Sequence, residues 1–247
     1  AQNITVDESY TPQDLVEDIL VNSPCANVFN VSVSGGNFAT GEKSFGYFDA
    51  TGTTFPFENG IILSTGKINN APGPNSYLSD DGGGMGWNGD PDLNDALGLS
   101  NTFNATVLEF DFIPLGNRIS FDYIFSSEQY LTNPSSNQCN FTDGFAFLLK
   151  ETSATTYDNL AVIPGTNIPV KVNTVRGPGT ICPPANEAYF DAFIGTTHPT
   201  NFNGQTTVLT AQADVVPGQT YHIKLVIADE GNYRYDSAIF LKGGSFN

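Results

Sequence analysis

The chain has 247 residues, a length that one β-rich domain can fill. Nine Lys and Arg stand against 26 Asp and Glu, a formal charge of −17. That balance argues against nucleic acid and anionic membrane surfaces as partners, since both are held by basic side chains.

Nineteen Phe and ten Tyr argue against wholesale disorder, and 25 Gly with 15 Pro point to many turns between short strands. The opening Ala1-Gln2-Asn3 is compatible with the mature end of a secreted chain. One helix is expected, over Thr11–Leu20. Thr11 can cap it, Pro12 suits its first turn, and Leu15, Val16, Ile19 and Leu20 form a stripe able to lie on a sheet.

Strands follow. Residues 27–33 alternate, and Gly60–Ser64 is a short apolar run. The stretch 69–101 is irregular. Over 105–113, Val107, Glu109, Asp111 and Ile113 share one face, with Leu108, Phe110 and Phe112 opposite. Over 118–125, Ile119, Phe121, Tyr123 and Phe125 share a face. Further strands are predicted at 145–149, 160–163, 170–175, 206–213, 220–228 and 237–241. The pattern predicts an all-β fold: an antiparallel β-sandwich, jelly-roll-like, with one short N-terminal helix and long loops, as a single domain over 1–247. No apolar run approaches the ~20 residues of a spanning helix, so no membrane insertion is expected.

The cysteines are Cys25, Cys139 and Cys182. They form no CxxC pair, which argues against a thiolate zinc site. Three cysteines permit one disulfide or none. Cys139–Cys182 is the preferred pair, because both lie in polar, loop-like segments.

Two acidic constellations suit a divalent cation. The first, Asp80 to Asp95, sets Asp80, Asp81, Asp90 and Asp92 among glycines. Its Asp90-x-Asp92-x-Asn94 spacing resembles the start of an EF-hand loop, but Pro91 intrudes and the motif's glycine and distal Glu are missing. The competing reading is a solvated acidic loop, or Asp92 and Asn94 as turn and cap residues before a short Leu93–Leu97 helix. The second is dispersed: Asp122, Glu128, Asp143, Asp229 and Asp236 fall at predicted strand ends. Carboxylates gathered at one rim repel each other unless compensated. With so few basic residues, calcium is the expected partner, and Arg234 is the evident protein alternative. Trp87, Tyr233 and Tyr235 sit in loops and are candidate ligand platforms.

Catalytic motifs are scarce. The two histidines are His198 and His222, and no nucleophile elbow, zinc-helix or phosphate-loop pattern occurs. A glycosidase needs only two carboxylates, so a carbohydrate-active enzyme ranks last, with Glu109, Asp111, Asp122 and Glu128 as its acids.

An ordered set of motifs then stands out. It comprises Phe121-Asp122-Tyr123-Ile124-Phe125-Ser126-Ser127-Glu128-Gln129-Tyr130, Asp143-Gly144-Phe145-Ala146-Phe147, Asn159 to Gly165, Tyr221 to Gly231 and Tyr235 to Leu241. Together these resemble the choice-of-anchor L domain family over nearly the whole chain, Ile4 to Phe246. One departure is Gln129, where the usual S-E-E-Y carries a second acid. The resemblance implies a secreted bacterial surface protein of a kind prominent in Bacteroidetes, often longer than this module, and an adhesive or surface-contact role. The expectation is an extracellular, non-catalytic adhesion module stabilised by calcium, binding a glycan or a protein on a target surface. The alternative is a structural subunit of a surface fibre or appendage that associates with copies of itself.

Overall fold

The alternating segments assemble into two antiparallel sheets in a computed structural model that describes residues 3–21, 24–36, 38–79, 86–231 and 234–247. Strands are numbered in chain order. Among the described residues, the larger sheet runs β1 (Thr5–Asp7), β3 (Phe45–Asp49), β4 (Asn59–Ser64), β13 (Ser237–Lys242), β6 (Arg118–Ser127), β10 (Gly204–Thr206) and β9 (Phe190–Phe193). β11 (Leu209–Asp214) pairs with the first half of β6. The smaller sheet runs β2 (Ala26–Ser34), β5 (Thr102–Pro114), β12 (Tyr221–Glu230), β7 (Gly144–Glu151) and β8 (Asp158–Asn159).

The period-2 pattern sets which side chains meet between the sheets. β5 sends Leu108, Phe110 and Phe112 inward, and β6 sends Ile119, Phe121, Tyr123 and Phe125 to meet them. Phe145, Phe147 and Leu149 of β7 and Ile223, Leu225 and Ile227 of β12 complete the layer. The opposite face of the larger sheet is also buried. Phe55, Phe57, Ile68 and Phe202 from its connecting loops pack on Ile62, Ile124 and Phe240. On the outer face of the smaller sheet, a short helix, α2 (Pro91–Leu97), lays Leu93 against Val107, Ala146 and Val226.

The N-terminal helix forms where its signals place it but winds differently. The Thr11 hydroxyl accepts from the Asp14 amide at 3.1 Å, and Pro12–Asp14 makes a single α-helical turn (α1). Leu15–Val21 then continues as a π-helix. The wider turn brings i and i+5 into line, so Leu15 with Leu20 and Val16 with Val21 all face the core.

Other departures have local causes. Residues 160–163 and 170–175 make only isolated bridges, Val162 to Pro169 and Lys171 to Gly144, where Pro164 and Pro169 interrupt a ladder of backbone donors. The predicted strand 206–213 is split. The Thr206 hydroxyl accepts from the Phe125 amide, while the Thr207 amide turns away to Tyr189. β3 lies outside the predicted strands altogether. Cys139 and Cys182 form a disulfide, with Cα atoms 5.3 Å apart, joining the turn at Ser136–Asn140 to the loop after Arg176. The free Cys25 directs its thiol to the Phe246 carbonyl.

Candidate functional site

Strand register carries four distant acids to one end of the sandwich. Ser237 at the start of β13 pairs with Ser127 at the end of β6, which places Asp236 beside Glu128. Ala228 near the end of β12 pairs with Gly144 at the start of β7, which places Asp229 beside Asp143. All four side chains are buried, at 0–1% exposure.

Glu128 and Asp236 are linked through Ser79. The Ser79 amide donates to Glu128 Oε2 and its hydroxyl donates to Asp236 Oδ2, each at 2.5 Å. The Glu128 amide donates to the Asp236 carbonyl at 2.9 Å. Gly66 is required here: the Asp236 carboxylate lies 2.2 Å from where a Cβ would stand.

Asp143 and Asp229 form the second pair. Asp143 Oδ2 accepts from the Ser237 hydroxyl at 2.6 Å, and Asp229 Oδ2 accepts from Asn104 Nδ2 at 2.8 Å. Thr65 also hydrogen-bonds Asp229. The two carboxyl groups lie within hydrogen-bonding reach of each other, a contact that needs a proton between them. The Ser127 and Ser237 hydroxyls meet at 2.7 Å between the pairs.

Desolvation dominates the electrostatics. Burial pushes the Glu128 carboxyl up to about 8, with the Asp236 charge adding to the effect and the Ser79 amide opposing it. Burial pushes Asp143 up to about 7. Asp229 is raised well above the carboxylate range by burial and then by the Asp143 and Asp236 charges. Burial also raises Glu230. Glu128 Oε1, Asp229 Oδ1, Glu230 Oε2 and both amide atoms of Gln129 are buried without a hydrogen-bond partner among the described residues. An unpaired buried polar atom costs about 1–3 kcal/mol, and more when charged, so this end is costly unless something occupies it. Apart from Gln129 Nε2 these atoms are hard oxygens, the kind calcium takes. Among the described residues, however, no three acidic, histidine or cysteine side chains stand close enough to enclose an ion as placed.

The remaining candidates lie elsewhere. A helix forms here as expected, but its cap is Asp90, which accepts from the Leu93 amide at 3.0 Å, while Asp92 and Asn94, the expected turn and cap residues, lie inside α2. Asp90 and Asp92 both grip Lys224 Nζ, at 2.7 and 2.8 Å, so an ammonium occupies the place proposed for a cation. Asp122 is mid-strand, not at a strand end, and accepts from the Thr210 hydroxyl on the sheet surface. Trp87 is half-buried: its indole N–H donates to the Ala105 carbonyl and its ring meets Phe38 edge-on. Its amide donates to Asn104 Oδ1, so Asn104 ties this loop to Asp229. Tyr235 is half-buried. Asp80, Asp81 and Tyr233 lie outside the described residues.

Sequence reasoning missed the neutral members: Thr65, Gly66, Ser79, Asn104, Ser127 and Ser237. A faint signal was present in small polar residues closing apolar runs, Ser64-Thr65-Gly66 after Ile61–Leu63 and Ser126-Ser127 after Phe125. Asn104 gave none. Its backbone is left-handed, at φ 57°, inside a strand.

The choice-of-anchor L domain model matches residues 4–247. No curated protein matches the chain. The match spans essentially the whole sequence, and the chain belongs to this family. Membership implies a surface-displayed or secreted protein, and the family is not known as a catalytic one. No helix among the described residues is long and apolar enough to cross a membrane.

Proposed function

We propose that this choice-of-anchor L member is a non-catalytic recognition module of a bacterial surface protein whose acidic end is locked by a calcium ion. The carrying observation is the set of buried oxygens at that end without a partner, Glu128 Oε1 and Asp229 Oδ1 above all. The same end also holds the Ser79 and Thr65 hydroxyls and the Asp143 carboxyl. Glu128, Asp143, Asp229 and Asp236 would hold the ion, which would balance their charge in place of the protons that burial otherwise favours. The cation neutralises repulsion between the two acid pairs and ties β6 and β13 of one sheet to β7 and β12 of the other. Rigid strand ends lower the ordering cost of binding by the loops they carry. The disulfide is in keeping with an oxidising, extracellular setting. Adhesion to a glycan or protein on another surface is the role such a module serves.

Calorimetric titration of the EDTA-stripped protein with Ca²⁺, and with Mg²⁺ for comparison, tests this. The expected result is saturable binding of Ca²⁺ with proton release, lost in Glu128→Gln and in Asp229→Asn. Absence of Ca²⁺ heat in a folded wild-type sample would leave the cluster as protonated carboxyl pairs and remove the calcium claim.

Self-association is a second reading, and one observation favours it. Among the described residues, the edge strands β1, β8 and β9 have two to four residues and β11 has six and ends on Asp214, whereas β2 has nine residues and no Lys, Asp, Glu or Pro. A long neutral edge can pair with another strand. Sedimentation of the purified chain across a concentration series separates the readings: a persistent monomer excludes the fibre subunit.

A further inference from the structure

The outer face of the smaller sheet carries a second feature, remote from the acids. α2 covers only half of that face. Beyond it, the register sets Asp111, His222 and Lys150 in one row across β5, β12 and β7, with Glu109, Lys224 and Leu148 in the next. The loop after β7 brings Tyr157 over this surface. Two open concavities of about 270 Å³ each flank Tyr157 and share it as a wall. One lies toward α2, with Asp92, Thr155 and Thr156 on its rim. The other lies toward Asp111, Lys150, Thr152 and His222.

The groups here are held in place. His222 Nδ1 meets Asp111 Oδ1 at 2.7 Å, and Asn30 Nδ2 donates to Asp111 Oδ2 at 2.8 Å. Lys224 is fixed between Asp90 and Asp92. Lys150 Nζ lies over one face of the Tyr157 ring, 4.9 Å from its centre, on the side of the concavity that Lys150 lines, with no carboxylate within 4 Å among the described residues. Tyr157 is half-buried, and its hydroxyl is pushed up by burial and then by the Asp92 charge, so it stays a donor.

We infer that this groove binds a neutral oligosaccharide, with Tyr157 as the ring platform between two sugar-sized subsites. Sugar hydroxyls donate and accept at once, and the rim offers both partners: carboxylates that accept, an ammonium that donates, and threonine hydroxyls that do either. The Tyr157 face that Lys150 leaves uncovered, toward the α2-side concavity, suits the C–H face of a pyranose. Alternative ligands fit less well. Apart from Tyr157, the apolar lining is only Ala96 and Leu148, which is little socket for a hydrophobic peptide anchor. Glu109, Asp111, Asp92 and Asp95 outnumber the lysines and repel sulfated, uronic or phosphate ligands. The sheet beneath is backed by the aromatic core, so the surface is formed before the ligand arrives.

This inference rests on the reading of the chain as a recognition module, but not on its calcium ion. The test is titration of the wild-type protein with gluco-, xylo-, manno- and galacto-configured hexasaccharides, using heparin and polygalacturonate as anionic comparators, in Ca²⁺ and in EDTA. The expected result is saturable binding of at least one neutral hexasaccharide. Tyr157→Ala should weaken it about tenfold or more, Lys150→Ala by a few fold, and Tyr157→Phe little. Variant melting curves matching wild type exclude misfolding. No binding to any neutral hexasaccharide overturns the inference, as does preference for the anionic chains. Binding that Tyr157→Ala leaves intact overturns the groove while keeping the recognition module. Loss of the calcium response with hexasaccharide binding retained would overturn the calcium reading and support this one.

Discussion

The two ends of the sandwich are built on opposite principles. At one end Phe246 is fully buried and meets Phe110, Phe112 and Phe121 with ring centroids 5.4–5.9 Å apart. At the other, about 20 Å away along β6 from Phe121, Glu128, Asp143, Asp229 and Asp236 are equally buried. The aromatic end is satisfied by the chain itself. The acidic end leaves oxygens of Glu128 and Asp229 without partners among the described residues, and burial raises the pKa of Glu128, Asp143 and Asp229, so its stability should vary with pH. Depth of burial therefore does not distinguish the two ends; polar satisfaction does.

Substitutions at the two ends should differ in kind. Phe246→Ala should have the largest effect, about 3–5 kcal/mol, or roughly a 6–20 °C fall in Tm. The fall should be the same in Ca²⁺ and in EDTA. A loss that depended on Ca²⁺ would erase the distinction between the ends. Glu128→Gln should do the reverse. It keeps shape, removes a buried charge, raises the Tm of the metal-free protein at pH 8.5 by a few degrees and abolishes any gain from Ca²⁺. A Glu128→Gln protein that still gains from Ca²⁺ places the ion elsewhere.

The pH response sharpens the comparison. Glu128 and Asp143 have folded pKa values of about 8 and about 7, above those of the unfolded chain, and Asp229 is raised as well. The folded, metal-free state therefore holds protons that the unfolded chain releases. This stability is complete below the unfolded carboxylate range and is lost as pH rises through 7 to 8. The Tm in EDTA should fall between pH 5.5 and 8.5, and the gain from Ca²⁺ should grow over the same interval. A flat metal-free profile would mean that the acids ionise without cost. The smallest effect is expected at Asp122→Ala, on the sheet surface: within about 0.5 kcal/mol and no change in Ca²⁺ response.

Much of the sandwich was legible because strand alternation is local. β5 and β6 each bury the face that the sequence marks. The Thr11 cap and the stripe Leu15, Val16 and Leu20 also act where the pattern places them. What failed was non-local. Residues 206–213 split because Thr206 and Thr207 bond to different neighbours, Phe125 and Tyr189. Asp90 and Asp92 find Lys224, more than 130 residues away, and nothing near them announces it. Its own signal was a lysine inside the apolar run Ile223–Ala228. The gathering of Glu128, Asp143, Asp229 and Asp236 follows from register alone: Ser127 opposite Ser237 and Gly144 opposite Ala228. Strand ends could be read from the sequence, but which ends meet could not.

The most direct test of calcium dependence is a thermal melt of the EDTA-stripped wild-type protein at pH 7.5, alone, with 1 mM Ca²⁺ and with 1 mM Mg²⁺. At an affinity near 10 μM a bound ion would stabilise the fold by about 2.7 kcal/mol, or roughly 5–11 °C. The account predicts that rise with Ca²⁺ and little with Mg²⁺. Three superimposed melting curves would contradict it.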